Sequence, residues 1–215
     1  LEALGLKTIA IAIDGPAASG KGTLARRLAA DLGLRYLDSG SLYRAVGLAT
    51  LAAGGDPADP VAATAAAEVL DIAKYSLGDL RGEAAGNAAS KVAAIPGVRT
   101  ALLDYQRRFA AAAPGAVMDG RDIGTVILPA ATAKIFVKAA FEVRVGRRVA
   151  ELQRDGQTII ESRVREDMAA RDERDSSRSV APLVPAEDAW ILDTTALNAD
   201  EAFAQAKAYI VSKIG

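Results

Sequence analysis

Lys7-Thr8-Ile9-Ala10-Ile11-Ala12-Ile13-Asp14 runs directly into Gly15-Pro16-Ala17-Ala18-Ser19-Gly20-Lys21-Gly22-Thr23, and residues 22–32 (GTLARRLAADL) follow. The first stretch is apolar and β-branched, as in a buried strand. The last has helical apolar spacing and stops at Gly33. Between them lies a glycine-rich loop. A strand, such a loop and a helix in that order make a phosphate cradle: successive backbone N–H groups turn inward, and the helix N-terminus adds unpaired N–H groups and its positive dipole end. Lys21 can reach the terminal phosphates of a nucleotide, and a hydroxyl after it can help hold Mg²⁺. Gly22 separates Lys21 from Thr23, so Thr23 is a displaced candidate for that role. The competing reading is an ordinary glycine turn.

Working outward, 34–40 (LRYLDSG) reads as a second short strand and its exit loop, and 42–53 as a helix ending at GGDPADP. Residues 61–95 are alanine-rich and read as two or three helices, and Pro96 stands near the start of another over 94–109. GAVMD (115–119), AKIFVKA (133–139) and AWILD (189–193) read as further strands. Helices are expected at about 141–155, at 158–176 and from beyond 193 to about 213. Strands alternating with helices give a doubly wound, five-stranded parallel α/β sheet. Ligands of such sheets bind beyond the carboxyl ends of the strands. The loop at 15–23, the DSG at 38–40, Asp119-Gly120-Arg121-Asp122 and the arginines after 170 all fall there.

Composition narrows the chemistry. The 215 residues are 51% hydrophobic and 25% charged, with 26 basic and 27 acidic side chains and a net charge of −1. That balance argues against general nucleic-acid or membrane-surface binding. No apolar run reaches the roughly 20 residues of a membrane helix, and LEALGLK lacks the features of a signal peptide. A cytoplasmic location is the expected default. The first residue is Leu rather than Met, for which either a trimmed or an engineered start is expected. There is no Cys and no His. Disulfides, cysteine metal sites and Ser-His-Asp hydrolysis are therefore out. Carboxylate, lysine, arginine and hydroxyl chemistry remains, which suits catalysis by charge placement.

Asp119 ends a strand, where it could orient a Mg²⁺ water or simply form an Asp-Gly turn. Arg121 and Asp122 are either a surface ion pair or ligand residues. Arg171, Arg174 and Arg178 recur at i, i+3 and i+7, on one helix face. Either this face is solvated, with Asp167–Arg171 and Arg171–Asp175 pairs, or it belongs to a mobile lid over transferring phosphates. No guanine-reading Asn-Lys-x-Asp motif is present. An acceptor phosphate is anionic at neutral pH and needs no histidine base, only in-line positioning and charge neutralisation. The inventory favours transfer between two phosphates.

Five segments, in order, resemble the bacterial cytidylate kinase family: IDGPAASGKGT, LDSGSLYR (37–44), NAASKVAAIPGVR (87–99), DGRDIGTV (119–126) and RDERDSSRSVAPL (171–183). The resemblance spans about residues 8–210. It implies ATP-dependent phosphorylation of CMP and dCMP, with Mg²⁺, and a single domain: a core at about 7–44, 114–155 and 186–215, an acceptor-binding insertion at about 45–113 and a lid at about 156–185. It further implies that Ser39, Tyr43 and Arg44 line the acceptor site. Arg44 and Arg121 would hold its phosphate, and Ser90, Arg99 and Asp122 would read cytosine. Arg171 and Asp175 would approach the ribose and phosphate. Arg174 and Arg178, with Lys21 and Arg121, would serve the transferring phosphoryl group. The stretch between Arg44 and Ser90 looks short for the family, so its small accessory β-unit is expected to be reduced. A monomer is the default. Two alternatives stand beside this: a P-loop kinase for UMP, AMP or shikimate, and a non-catalytic nucleotide-binding module.

Overall fold

A computed structural model describes residues 8–76, 78–80 and 82–214. Leu1–Lys7, the segment weighed above as a signal peptide, and the first residue of the expected core lie outside them. Five parallel strands form one sheet in the order β2-β3-β1-β4-β5: β1 (Ile9–Asp14), β2 (Arg35–Asp38), β3 (Gly115–Gly120), β4 (Ala133–Lys138) and β5 (Trp190–Asp193). Alternating side chains split the core into two layers. Ile11 and Ile13 of β1 and Val117 of β3 pack with Leu24 and Leu28 of α1 (Lys21–Leu32) and Ile210 of α8 (Ala199–Ile214). Ala12, Ala116 and Met118 face the other way. They pack with Val46 of α2 (Ser39–Ala52), Val92 of α4 (Glu83–Val92) and Val98 and Leu102 of α5 (Pro96–Ala111). Each fully buried aliphatic side chain contributes about 1.5–3 kcal/mol, which is what fixes helices on both faces.

α3 (Pro60–Glu68) starts where the Asp59 carboxylate accepts from Val61 N at 2.9 Å, with Pro60 in the first turn. A single 3₁₀ turn (Ile72–Lys74) precedes α4. Among the described residues from 45 to 113 there is no strand, matching the reduced accessory unit. α6 (Phe141–Arg154) and α7 (Glu161–Ser177) follow β4.

Two expectations are corrected. No exit loop follows β2: Asp38 passes directly into α2, and the Ser39 hydroxyl donates to Asp119 O at 2.8 Å, tying the start of α2 to β3. Arg178 is not on the arginine face of α7. The helix ends at Ser177, and Arg178 is extended (φ −62°, ψ 138°). Leu183 N donates to Asp175 O at 2.7 Å, folding the chain back at the helix end.

Candidate active site

The loop after β1 is shaped by close approach and by an open helix end. A Cβ on Gly15 would stand 2.2 Å from Val137 O, so only glycine lets the loop leave beside β4. Gly20 is left-handed (φ 91°), and α1 has no side-chain cap. Its first N–H groups are left for an anion. Lys21 Nζ curls back to donate to Pro16 O at 3.2 Å. Burial, and then repulsion from Arg121, press the Lys21 pKa down from 10.5 to about 7, against the pull of Asp119 and Asp38.

α6 holds this loop from outside. Arg144 donates to Ala17 O at 3.2 Å and to Asp172 of α7 at 2.6 Å. Arg147 donates to Ser19 O at 3.3 Å and to Thr194 O at 2.7 Å. Beside it opens a hollow of about 260 Å³, lined by Gly20, Thr23, Arg27, Arg147, Thr194 and Asn198 among others. Thr23 is exposed and faces this hollow, whereas the carboxylates acting on Lys21 are Asp119 and Asp38. A larger hollow between α2 and α3, about 490 Å³, shares no residue with the site.

Beyond the strand ends the charged side chains fall into two groups. The first surrounds Lys21. Arg121 Nε donates to Asp175 Oδ2 at 2.8 Å, and Arg171 stands 3.9 Å from the same oxygen. Arg44 pairs with Asp38. Burial and then Arg121 lower the Arg171 pKa to about 10. Burial works against the charge of Asp175, but Arg121 and Arg171 outweigh it and lower its pKa. Asp119 is buried near the end of β3. It accepts from Tyr36 Oη at 2.7 Å, and burial followed by Asp38 raises its pKa to about 6.

The second group is Arg99, Asp122, Arg178 and Tyr43. Arg99 and Asp122, both buried, form an ion pair, and Arg178 lies 3.7 Å from the other Asp122 oxygen. The Arg99 guanidinium sits 5.7 Å from the centre of the Tyr43 ring. Burial raises the Asp122 pKa against the pull of both arginines. Tyr43 Oη, Ser90 Oγ and an Arg178 nitrogen are buried without a hydrogen-bond partner. Orphaned polar atoms gathered this way are what a polar ligand would satisfy. Ser90 lies one turn beyond Gly86 on α4, where a Cβ would come 3.4 Å from Arg171.

Of the candidates read from the sequence, Lys21, Arg44, Arg121, Arg171 and Asp175 come together, and so do Tyr43, Arg99, Asp122 and Arg178. Arg121 and Asp122 pair with different partners, not with each other. Ser39 has its hydroxyl engaged on β3. Arg174 stands apart, half-buried, its Nε on Ala170 O at 3.2 Å. Sequence reasoning missed Asp14, Tyr36, Asp38, Arg144, Arg147, Asp172 and Thr194. Arg144, Arg147 and Arg148, three arginines on one helix after a strand, were a visible signal, and Asp38 lies six residues before its partner Arg44 within LDSGSLYR; the others depend on contacts distant in sequence.

Among models of known families, the one described as cytidylate kinase matches residues 11–212. The cytidylate kinase of Paramagnetospirillum magneticum is 60% identical over 206 residues, covering 94% of this chain and 98% of that protein. Those of Granulibacter bethesdensis (56% over 203 residues, 94% and 97% covered) and Rhodospirillum rubrum (57% over 202 residues, 91% and 94%) are similar to it as well.

Proposed function

The chain belongs to the cytidylate kinase family, and from that premise we propose that it transfers the γ-phosphoryl group of ATP to CMP and dCMP. The observation that carries the choice of acceptor is the buried Arg99–Asp122–Arg178 group beside Tyr43. The exocyclic amino group of cytosine is a donor and meets the Asp122 carboxylate; its ring nitrogen and carbonyl are acceptors and meet guanidinium or hydroxyl donors, with Ser90 among them. Uracil carries a carbonyl where the amino group was. It would set oxygen against a buried carboxylate, which disfavours UMP.

The phosphate group of residues performs the chemistry. The acceptor phosphate, held by Arg44 and Arg121, presents an oxygen in line with the γ-phosphorus. A new O–P bond forms as the bond to the β,γ-bridging oxygen breaks, and ADP departs. Lys21, Arg121 and Arg171 neutralise the charge spread over the transferring group, which is the larger part of catalysis for such a transfer. Residues 15–23 seat the donor phosphates, and the hollow beside Arg147 seats the donor's nucleoside end. Asp119 and Asp38, neighbours across β2 and β3, are the carboxylates that would hold Mg²⁺. Among the described residues no three acidic ligands cluster, in keeping with an ion carried mainly on the phosphates. Bound there, Mg²⁺ supplies charge neutralisation; Thr23, in the donor hollow, suits the donor phosphates better than the metal.

We assign residues 45–113 to acceptor binding and about 156–185 to a lid that excludes water from the γ-phosphate. In the described residues no helix is long and apolar enough to cross a membrane. The test is ADP release from MgATP with CMP, dCMP, UMP, AMP and GMP in turn. Turnover concentrated on CMP and dCMP is expected. Equal turnover on all five would remove the Ser90, Arg99 and Asp122 assignment, and none would remove the activity.

A further inference from the structure

Asp14 is a buried carboxylate that the transfer reaction above does not use. It ends β1, the central strand, which is paired on both sides, with β3 and β4. Its backbone enters the phosphate loop at Gly15, but its side chain turns the other way. Oδ1 accepts from Ile123 N at 2.8 Å and Oδ2 from Gly124 N at 2.7 Å. These are the first two N–H groups of a π-helical turn (Ile123–Ile127) that has no side-chain cap of its own. The turn is closed by Ile127 N and Val126 N on Asp122 O, at 3.2 and 2.9 Å. The peptide between Asp122 and Ile123 is thus gripped at its carbonyl by the turn and at its N–H by Asp14, which also takes the next N–H.

Two parallel N–H donors in a buried place need two acceptors. Only a carboxylate supplies both; an asparagine would offer one oxygen and turn an NH₂ group toward the second N–H. Placing a charge there costs free energy, since burial raises the Asp14 pKa to about 7. A negative charge facing Asp122, itself a carboxylate, adds to that cost. A group kept against such opposition fixes something, and what it fixes is the backbone that aims Asp122.

We propose that Asp14 is a positioning residue for selection of the acceptor base: from the floor of the donor loop it locks the turn that points the Asp122 carboxylate at the cytosine amino group. This rests on the base-reading role given to Asp122 under the proposed function. The lock links the two nucleotide sites through one residue, its backbone serving the donor and its side chain the acceptor.

The test compares kcat/KM for CMP and UMP at saturating MgATP in the full chain and in Asp14→Asn, Gly124→Ala, Asp122→Asn and the Asp14→Asn/Asp122→Asn double variant. Gly124→Ala approaches the same contact from the other side: its Cβ would stand against Asp14 Oδ2 at 3.4 Å and 3.3 Å from Lys134 Cδ, which must give by a few tenths of an ångström, so it presses on the carboxylate only lightly. Asp14→Asn should lower the CMP:UMP ratio about tenfold, chiefly through a higher KM for CMP, with KM for ATP within about twofold. Gly124→Ala should move the ratio the same way by less, and it carries the test if Asp14→Asn does not fold. In the Asp122→Asn background, Asp14→Asn should change the ratio by under about twofold, because it acts through Asp122. Folded Asp14→Asn and Gly124→Ala proteins that lose CMP and UMP activity by equal factors would reduce Asp14 to a structural cap and overturn the proposal alone. An unchanged ratio in Asp122→Asn would overturn the base-reading assignment itself, and the role of Asp14 with it.

Discussion

Lys21 should gain a proton when ATP binds. Its pKa is about 7, lowered from 10.5 by burial and by the Arg121 charge, with Arg171 adding to the effect. At pH 8 only about one Lys21 in ten is then charged. A bound triphosphate places several negative charges against Nζ, displaces it from Pro16 O and restores the ordinary ammonium. About 0.9 proton is expected to be taken up per ATP at pH 8, and about 0.1 at pH 6. By linkage, ATP affinity should fall about tenfold for each pH unit above 7. Isothermal titration calorimetry at pH 8 in two buffers of different ionisation heat gives the proton number directly, at a pH where the nucleotide phosphates are fully ionised. Asp14 and Asp119, held at about 7 and about 6, could also gain a proton beside a polyanion. Lys21→Arg separates the sources: a guanidinium stays charged throughout, so the uptake should vanish. Uptake that persists in Lys21→Arg, or none in the unaltered protein at pH 8, would refute the reasoning.

Arg178→Ala should raise KM for CMP about tenfold with a smaller loss of kcat, since Arg178 lies on Asp122 and not among the groups acting on Lys21; steady-state kinetics with a fall in kcat alone would return it to the transferring phosphoryl group. Gly47→Ala should destabilise the fold by about 1–3 kcal/mol in urea unfolding and weaken CMP binding, because its Cβ would stand 2.7 Å from Ala88 Cβ and 3.0 Å from an Ala88 backbone carbon, pushing α4 and Ser90 off α2. Unaltered stability would show that the two helices have slack there. Asp14 should also set a pH trend in stability. Its folded pKa, about 7, lies above the unfolded 3.8, so between those values the folded state binds the extra proton. Its contribution to stability therefore falls as pH rises, by about 1.4 kcal/mol per unit. The unaltered protein should gain on Asp14→Asn as the pH drops from 8 to 5, and a difference independent of pH would contradict the burial of that charge.

What could be read from the sequence was local. All five strands were legible, β1, β3 and β4 as apolar runs closed by Gly, Asp or Lys and the shorter β2 and β5 as apolar stretches ending in Asp38 and Asp193, and so was the loop after β1, whose glycines and lysine lie close together in the sequence. The end of α7 was legible to within a residue, but the place of Arg178 was not. Arg178 continues the helical spacing of Arg171 and Arg174, yet it lies beyond Ser177 in extended conformation, where Leu183 N returns onto Asp175 O. DSG at 38–40 resembles a turn, and it becomes the start of α2 because Asp119 O, 80 residues away, takes the Ser39 hydroxyl. Asp14 lies within the most legible motif of the chain and was passed over for the same reason: its partners are 109 and 110 residues distant.

The sheet order explains why these distant residues meet. Because β3 lies between β2 and β1, the carboxyl ends of three strands stand side by side and bring Asp38, Asp119 and Asp14 to one edge. α1 leaves that edge with Lys21, and the segment after β3 leaves it with Arg121 and Asp122, so donor and acceptor charges share a floor. α7 then bridges the two sides within one turn of helix. Asp172 is tied to Arg144, which holds Ala17 of the loop after β1, while Asp175, with Arg171 beside it, takes the Arg121 guanidinium. In the role proposed for it, Arg121 takes the acceptor phosphate beside its Nε contact with Asp175, and Asp175 is carried by the same helix that Asp172 ties to Arg144. On that reading α7 couples the two nucleotide sites, since whatever shifts Asp175 also bears on Arg144 and the loop it holds.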